Sequence, residues 1–382
     1  MKMNPESRIP NPESSDFRFI EDNKISFLIT FYNQKEYIHN ALNHILKIKI
    51  PNGFQREILI GDDGSHDGSL KIFQHYLNQY PEIQLFQISR NQNPTYSIEE
   101  RASFNRLNLL KNARGKYFLI CDGDDFFHHT DFLLSAIPIL ENDSHLSVFL
   151  FCFHCLLPNH QIEPCIIPNL KEGKQNGRKY IQNNNYIHAS AAIYKTPNPK
   201  ELDFLIKMNS FDDNHILISF LNFGQMYFKK EFIYTYKIHG GVWQTHSPSE
   251  QILRNALSFG FLSFYFPKYQ DDFKKRFFND LNFVFHNRAI YLNEKADFYF
   301  QLCQNEPYYF VYDILRFDDL SLNRQKEIKD FFKIPFFAKL KQNVLHFKST
   351  FKQNLKNKKT KCIHFVGQHF PNLKKIIKKI LY

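Results

Sequence analysis

Hydrophobic and polar positions follow two rhythms along the first part of the chain. Residues 24–30 form a short apolar run around Ile25, Phe27, Leu28 and Ile29 that ends in a polar loop, Phe31-Tyr32-Asn33-Gln34. Its length and content predict a strand buried on both faces. Across residues 36–48, Ile38, Leu42, Ile45 and Leu46 share a helical face, and Pro51-Asn52-Gly53 breaks it. The pattern then predicts a strand over 57–61, a helix over 70–80, a strand over 85–88 and a helix over 97–112. Gly115 precedes one more apolar run, Tyr117-Phe118-Leu119-Ile120. Such alternation of strand and helix is the mark of an α/β fold with a mostly parallel sheet.

The rhythm changes after Pro138. Residues 146–157 and 187–194 read as strands separated by a loop of Asn, Lys, Gly and Pro, about residues 158–178. Residues 204–223 read as mainly helical, and 231–239 as a strand closing on Gly240-Gly241. From Pro248 onward the signals are helical, with aromatic and Lys-rich faces. The chain thus divides into a polar leader (1–23), an α/β domain (24–245) and a helical extension (246–382).

Composition changes this picture in two places. The 382 residues are 43% hydrophobic, with 42 Phe and a net charge of +11. Residues 331–382 hold 13 Lys and no Arg, Asp or Glu, which leaves 49 − 13 = 36 basic against 38 acidic groups, or −2, for the other 330 residues. The basicity therefore belongs to the tail. There Leu373, Ile376, Ile377, Ile380 and Leu381 line one helical face, and Lys374, Lys375, Lys378 and Lys379 the other. A basic amphipathic helix suits peripheral contact with an anionic membrane. No apolar run reaches the ~18 residues of a membrane span. The leader lacks a signal peptide's basic start and apolar centre, and six cysteines fit reduced thiols. A cytoplasmic protein, peripheral on the inner face of the membrane, is expected.

Candidate chemistry gathers where predicted strands end. The run 117–120 leads directly into Cys121-Asp122-Gly123-Asp124-Asp125. Three carboxylates in four residues repel one another unless a cation holds them, and hard oxygen ligands suit Mg²⁺ or Mn²⁺. The strand over 57–61 ends in Asp62-Asp63-Gly64-Ser65-His66-Asp67-Gly68-Ser69. With Thr30 to Asn33, these polar sites fall on one rim of one sheet, where open α/β sheets bind ligands.

Together these segments resemble the family 2 glycosyltransferases, which have the GT-A fold. The similarity rests on the strand ending Thr30-Phe31-Tyr32-Asn33, on the Asp-Asp-Gly-Ser-x-Asp-x-Ser segment, and on the Asp-x-Asp motif at Asp122 to Asp124. It also rests on the lead-in Arg114-Gly115-Lys116-Tyr117, where Lys116 replaces the usual Glu. It implies an inverting transfer of sugar from a nucleotide donor, UDP-linked, to a hydroxyl of a glycan or lipid-linked acceptor. It implies a donor site of Thr30, Tyr32, Asn33, Asp62, Asp63, Arg106, Asp122 and Gly123. Thr30 and Asp63 would meet the base, Arg106 the diphosphate, and Asp122 the ribose. Asp124 or Asp125, with Asp122 and His239, would hold Mn²⁺ or Mg²⁺. The pair Asp212-Asp213, opening an apolar helix, would supply the catalytic base, Asp213 by register. His188 and Trp243 are its acceptor-side candidates.

Two other readings are open at this stage. Cys152, Cys155, His160 and Cys165 have the C-x2-C-x4-H-x4-C spacing of a zinc knuckle, which with the basic tail would bind nucleic acid. Against it, no glycine and no Lys or Arg lies between Cys152 and Cys165. A nucleotidyltransferase would also use an Asp-rich metal site, but with a Gly-rich basic first loop that Phe31-Tyr32-Asn33-Gln34 is not.

Overall fold

The computed structural model describes residues 19–90, 98–166, 170–182, 188–208, 210–238, 247–287, 314 and 317–333. Four strands open the fold: β1 (Glu21–Phe31), β2 (Gln55–Asp62), β3 (Ile83–Gln87) and β4 (Gly115–Asp122). They are joined by α1 (Ile38–Lys47), α2 (Ser69–Gln79) and α3 (Ile98–Asn112). These strands pair in parallel in the order β3-β2-β1-β4. Ile25, Leu28, Ile29, Leu59, Ile60 and Leu119 have no exposed surface, as strands covered by helices on both faces require.

Register decides the function of this half. Thr30 lies beside Gly61 on β2 and beside Asp122 on β4. The polar ends of three strands therefore form one row. The ladder runs on past the strands, with Asp63 N donating to Phe31 O and Gly123 N to Thr30 O.

The second half is mixed rather than parallel. It contains β5 (Phe126–Phe127), α4 (Phe132–Asn142), β6 (Leu146–Leu156), β7 (Ile162–Cys165), β8 (Gly173–Gln175), α5 (Gly177–Gln182), β9 (Ala192–Lys195), α6 (Pro199–Met208), α7 (Asp213–Phe223) and β10 (Gln225–Lys237). The sheet continues β4-β9-β6-β10-β5, where β9 is antiparallel to β4 and β6, and β10 runs parallel to β6. Three expectations are corrected here. The loop predicted over 158–178 contains β7, a hairpin partner of β6, and β8, a partner of β10. Both strands are short and polar, so they carry no apolar rhythm. The strand predicted over 187–194 begins with a 3-10 turn, Ala189–Ala191, before β9. The helix predicted over 204–223 is two helices, and the break between them puts Asp212 and Asp213 at a helix start.

A second compact unit begins at Ser247. Its described helices are α8 (Pro248–Tyr265), α9 (Gln270–His286) and α10 (Leu322–Lys333). Leu253, Ala256, Leu281, Val284, Ile314 and Ile328 form its own core. Among the described residues no helix is long and apolar enough to cross a membrane. The basic tail, His239 and Trp243 lie outside the described residues.

Candidate active site

The row of strand ends is stitched together by side chains. Asn33, with φ of 50°, turns β1's end toward β2's loop. Its N–H donates to Ser65 Oγ (2.9 Å), and His66 N–H donates to its Oδ1 (2.9 Å). Asp62 is fully buried and accepts from Ser65 N–H at 3.2–3.3 Å, the geometry of a turn-capping Asp. Burial pushes its carboxyl up, and the Ser65 hydrogen bonds pull the other way.

Asp63 anchors a basic pocket. Arg101 grips it with two nitrogens, at 2.8 and 2.5 Å, and Arg90 Nη2 donates to its Oδ2 at 2.9 Å. The Arg90 guanidinium lies 3.4 Å from the centre of the Tyr32 ring. Tyr32, Asp63, Arg90 and Arg101 are thus joined in one charged cluster beside the row. Neither arginine is marked by a motif. The sequence carries no signal for them, since α3 is rich in polar residues along its whole length.

That helix serves every loop of the site. Asn105 donates to Gly61 O (3.0 Å), and a Cβ on Gly61 would sit 2.2 Å from Asn105 Oδ1. Gly61 is required there because helix and strand approach so closely. Ser103 Oγ accepts from Phe211 N–H at 2.5 Å, tying α3 to the loop before α7. Arg106 Nη2 spans both oxygens of Asp122 at 2.8 and 3.0 Å. Burial alone would weaken its charge, but Asp122, Asp213 and Asp212 hold the guanidinium firmly protonated.

The acidic cluster separates into distinct roles. Asp122 also accepts from Thr30 Oγ1 at 3.2 Å. Burial opposes its charge, yet Arg106, His188 and Thr30 hold its carboxyl below the usual range. Asp125 is 1% exposed and turned inward, accepting from Tyr234 Oη (2.7 Å) and Lys237 N–H (2.8 Å). Burial first, and then Asp124 and Asp122, push its carboxyl well above the ordinary value. Asp124 is half-buried between them. Gly123 fits under Phe31, where a Cβ would lie 2.1 Å from the ring.

His188 comes to this cluster from across the sheet, with Nε2 3.7 Å from Asp122 and 3.8 Å from Asp125. Asp122, Asp125 and His188 each offer a ligand atom within 4.8 Å of the others. The two carboxylates at the end of a buried strand fit a divalent cation such as Mn²⁺ or Mg²⁺, with the imidazole beside them. Among the described residues this is the one such group. The proposed zinc-knuckle residues do not converge. Cys152 is buried within β6, His160 occupies the turn of the β6–β7 hairpin with φ of 64°, and the Cys155 and Cys165 thiols contact each other across that hairpin.

Asp212 caps α7, accepting from His215 N–H at 3.3 Å. Asp213 follows as the first residue of the helix, and its Oδ1 accepts from Ala189 N–H at 3.0 Å. One oxygen of Asp213 is thereby oriented by backbone. Arg106 is shared electrostatically between Asp122 and the Asp212-Asp213 pair, which ties the row of strand ends to α7.

Comparison with known proteins agrees with this geometry. Residues 26–200 match the model for glycosyl transferase family 2. An uncharacterized protein of Mycobacterium tuberculosis is 34% identical over 131 residues, 34% of this chain and 34% of its own length. A cholesterol galactosyltransferase of Borreliella burgdorferi is 36% identical over 111 residues, 28% of this chain and 26% of its own. The matches therefore span about a quarter to a third of these relatives. The crystal structure of Staphylococcus aureus TarS 1–349 in complex with UDP-GlcNAc superposes with a TM-score of 0.52 at 20% identity. It covers 71% of this chain and 76% of that one. The strand order and the three aligned strand ends accord with the match of residues 26–200 to the glycosyl transferase family 2 model.

Proposed function

We propose that the protein is a metal-dependent, inverting glycosyltransferase that moves a sugar from a UDP-linked donor to a hydroxyl of a glycan or lipid-linked acceptor. The observation that carries this reading is the Asp213 carboxylate, oriented by Ala189 N–H and joined through Arg106 to Asp122 in the row of strand ends. The UDP-GlcNAc bound by TarS, a protein of the same fold, agrees with a nucleotide-sugar donor.

On this reading the nucleotide base lies along Tyr32 and Asp63, and the ribose meets Asp122. Asp122, Asp124 and Asp125, with His188 beside them and His239 from the adjoining segment, would hold the divalent cation. Bound there, such an ion offsets negative charge on the departing diphosphate. Arg106 adds a second fixed cation at the same place. The free oxygen of Asp213 takes the proton from the acceptor hydroxyl. The acceptor oxygen then forms the new bond to the anomeric carbon as the bond to phosphate breaks, and the nucleoside diphosphate leaves with the electron pair. Attack opposite the leaving group inverts the anomeric centre. The basic tail would hold the enzyme to an anionic membrane, with a lipid-linked acceptor within reach.

The test is a panel of nucleotide sugars with Mn²⁺ or Mg²⁺, scored for thermal stabilisation and then for transfer or hydrolysis. A UDP-sugar should stand out, and Asp124→Asn and Asp213→Asn should each remove turnover. Transfer that survives both substitutions would exclude the assignment.

A further inference from the structure

His188 is 3% exposed, too deep to touch an acceptor sugar. Its ring sits in an aromatic slot, stacked on Tyr234 (5.3 Å) and beside Tyr236 (4.7 Å) and Phe153 (6.2 Å). Its Nδ1 accepts from Ser190 N–H at 3.4 Å. With Nδ1 accepting, a hydrogen sits on Nε2, the nitrogen that lies near both Asp122 and Asp125. A nitrogen bearing that hydrogen has no lone pair for a metal, so this tautomer favours a donor over a ligand.

The residue after it does something different. Ala189 N–H holds Asp213 Oδ1. One planar peptide unit thus separates the ring that faces the donor-side carboxylates from the amide that orients Asp213. The turn around that unit is locked. Ala191 N–H donates to His188 O (2.9 Å), and Tyr194 Oη donates to Ala189 O (2.9 Å). A shift of the His188 ring has little room to be absorbed before it reaches Ala189.

We propose that His188 is a positioning residue: wedged against Asp122 and Asp125, it fixes where the Ala189 amide holds Asp213, and so sets the catalytic base relative to the donor. This rests on Asp213 being the base. Asp213 touches none of the donor-side carboxylates in any hydrogen bond among the described residues. The His188-Ala189 unit bridges the two, its ring facing Asp122 and Asp125 and its amide holding Asp213, alongside the charge of Arg106.

The test compares His188→Phe, which fills the slot without a donor, with His188→Gln, which restores one. His188→Phe should lower kcat about 100-fold, the loss expected for a base displaced by about an ångström. Its donor KM and its Mn²⁺ affinity, read from free Mn²⁺ by electron paramagnetic resonance, should stay within about threefold of the parent. His188→Gln should recover about tenfold of the lost kcat. A second readout needs no turnover. In the parent, the Ala189 amide resonance should follow the ionisation of Asp213 across a pH titration. That response should vanish in His188→Phe and persist in His188→Gln. An unchanged kcat, or an Ala189 response intact in His188→Phe, overturns the proposal. So does a loss of about tenfold or more in Mn²⁺ affinity in both variants, which would make the ring a metal ligand. A parent protein that transfers no sugar, yet shows the Ala189 response lost only in His188→Phe, would refute the base assignment and leave the positioning link standing.

Discussion

Asp124 and Asp125 are neighbours in sequence with opposite surroundings. Asp125 accepts two hydrogen bonds in a buried site, whereas Asp124 is half-buried. Asp125→Ala strands the Tyr234 hydroxyl and the Lys237 N–H, and should cost about 3 kcal/mol in urea denaturation. Asp124→Asn should cost less than about 1 kcal/mol and yet abolish metal-stimulated transfer. The two measurements, stability and turnover, should therefore separate adjacent aspartates. If Asp124→Asn unfolds the protein as readily as Asp125→Ala, this division of roles is wrong.

At the scale of elements, α3 organises the site. Arg101 holds Asp63, Asn105 meets Gly61, Ser103 holds the loop before α7, and Arg106 holds Asp122. Arg101→Ala leaves the buried Asp63 carboxylate with the ion pair to Arg90, and should destabilise the fold by about 3 kcal/mol. Isothermal titration with UDP and Mn²⁺ should show weakened binding in Arg101→Lys, which keeps charge but loses the two-nitrogen grip. Gly61→Ala should push α3 outward and cost about 2 kcal/mol or more, seen as a lowered Tm.

The sequence made β1, β2 and β4 legible because buried parallel strands are continuous apolar runs whose chemistry collects at their ends. Thr30, Asp63 and Asp122 were singled out that way, and the Asp212-Asp213 pair by the resemblance, as an acidic pair opening an apolar helix. Arg90 and Arg101 were not, since a lone arginine shows nothing of the carboxylate it will meet. The place of His188 was equally hidden, because it depends on β9 pairing between β4 and β6, a long-range choice. The strands β7 and β8 escaped notice because both are short and polar.

At the scale of the whole chain, the C-terminal unit has a core of its own and a pH response of its own. In the C-terminal unit, Asp280 on α9 is pushed up to about 6 by burial, with Arg276 working against the shift. A carboxyl raised in the fold stabilises below its unfolded value and loses that contribution as pH rises through about 6. Asp280→Asn should therefore stabilise the protein at pH 8 by about 1–2 kcal/mol, after allowance for partial exposure, and the gain should shrink toward pH 4. Denaturation at the two pH values checks this, and an equal gain at both would refute it.

Thr30, Gly61 and Asp122 stand side by side, but each begins a loop belonging to a different strand. Such an arrangement lets heredity work on one loop at a time. On the proposed reading, a change behind Gly61 would revise which base is read while the neighbouring strands kept the leaving group in place. The same independence offers an engineer a cassette: residues 62–69 from a relative with another nucleotide preference could be exchanged without rebuilding the rest of the sheet.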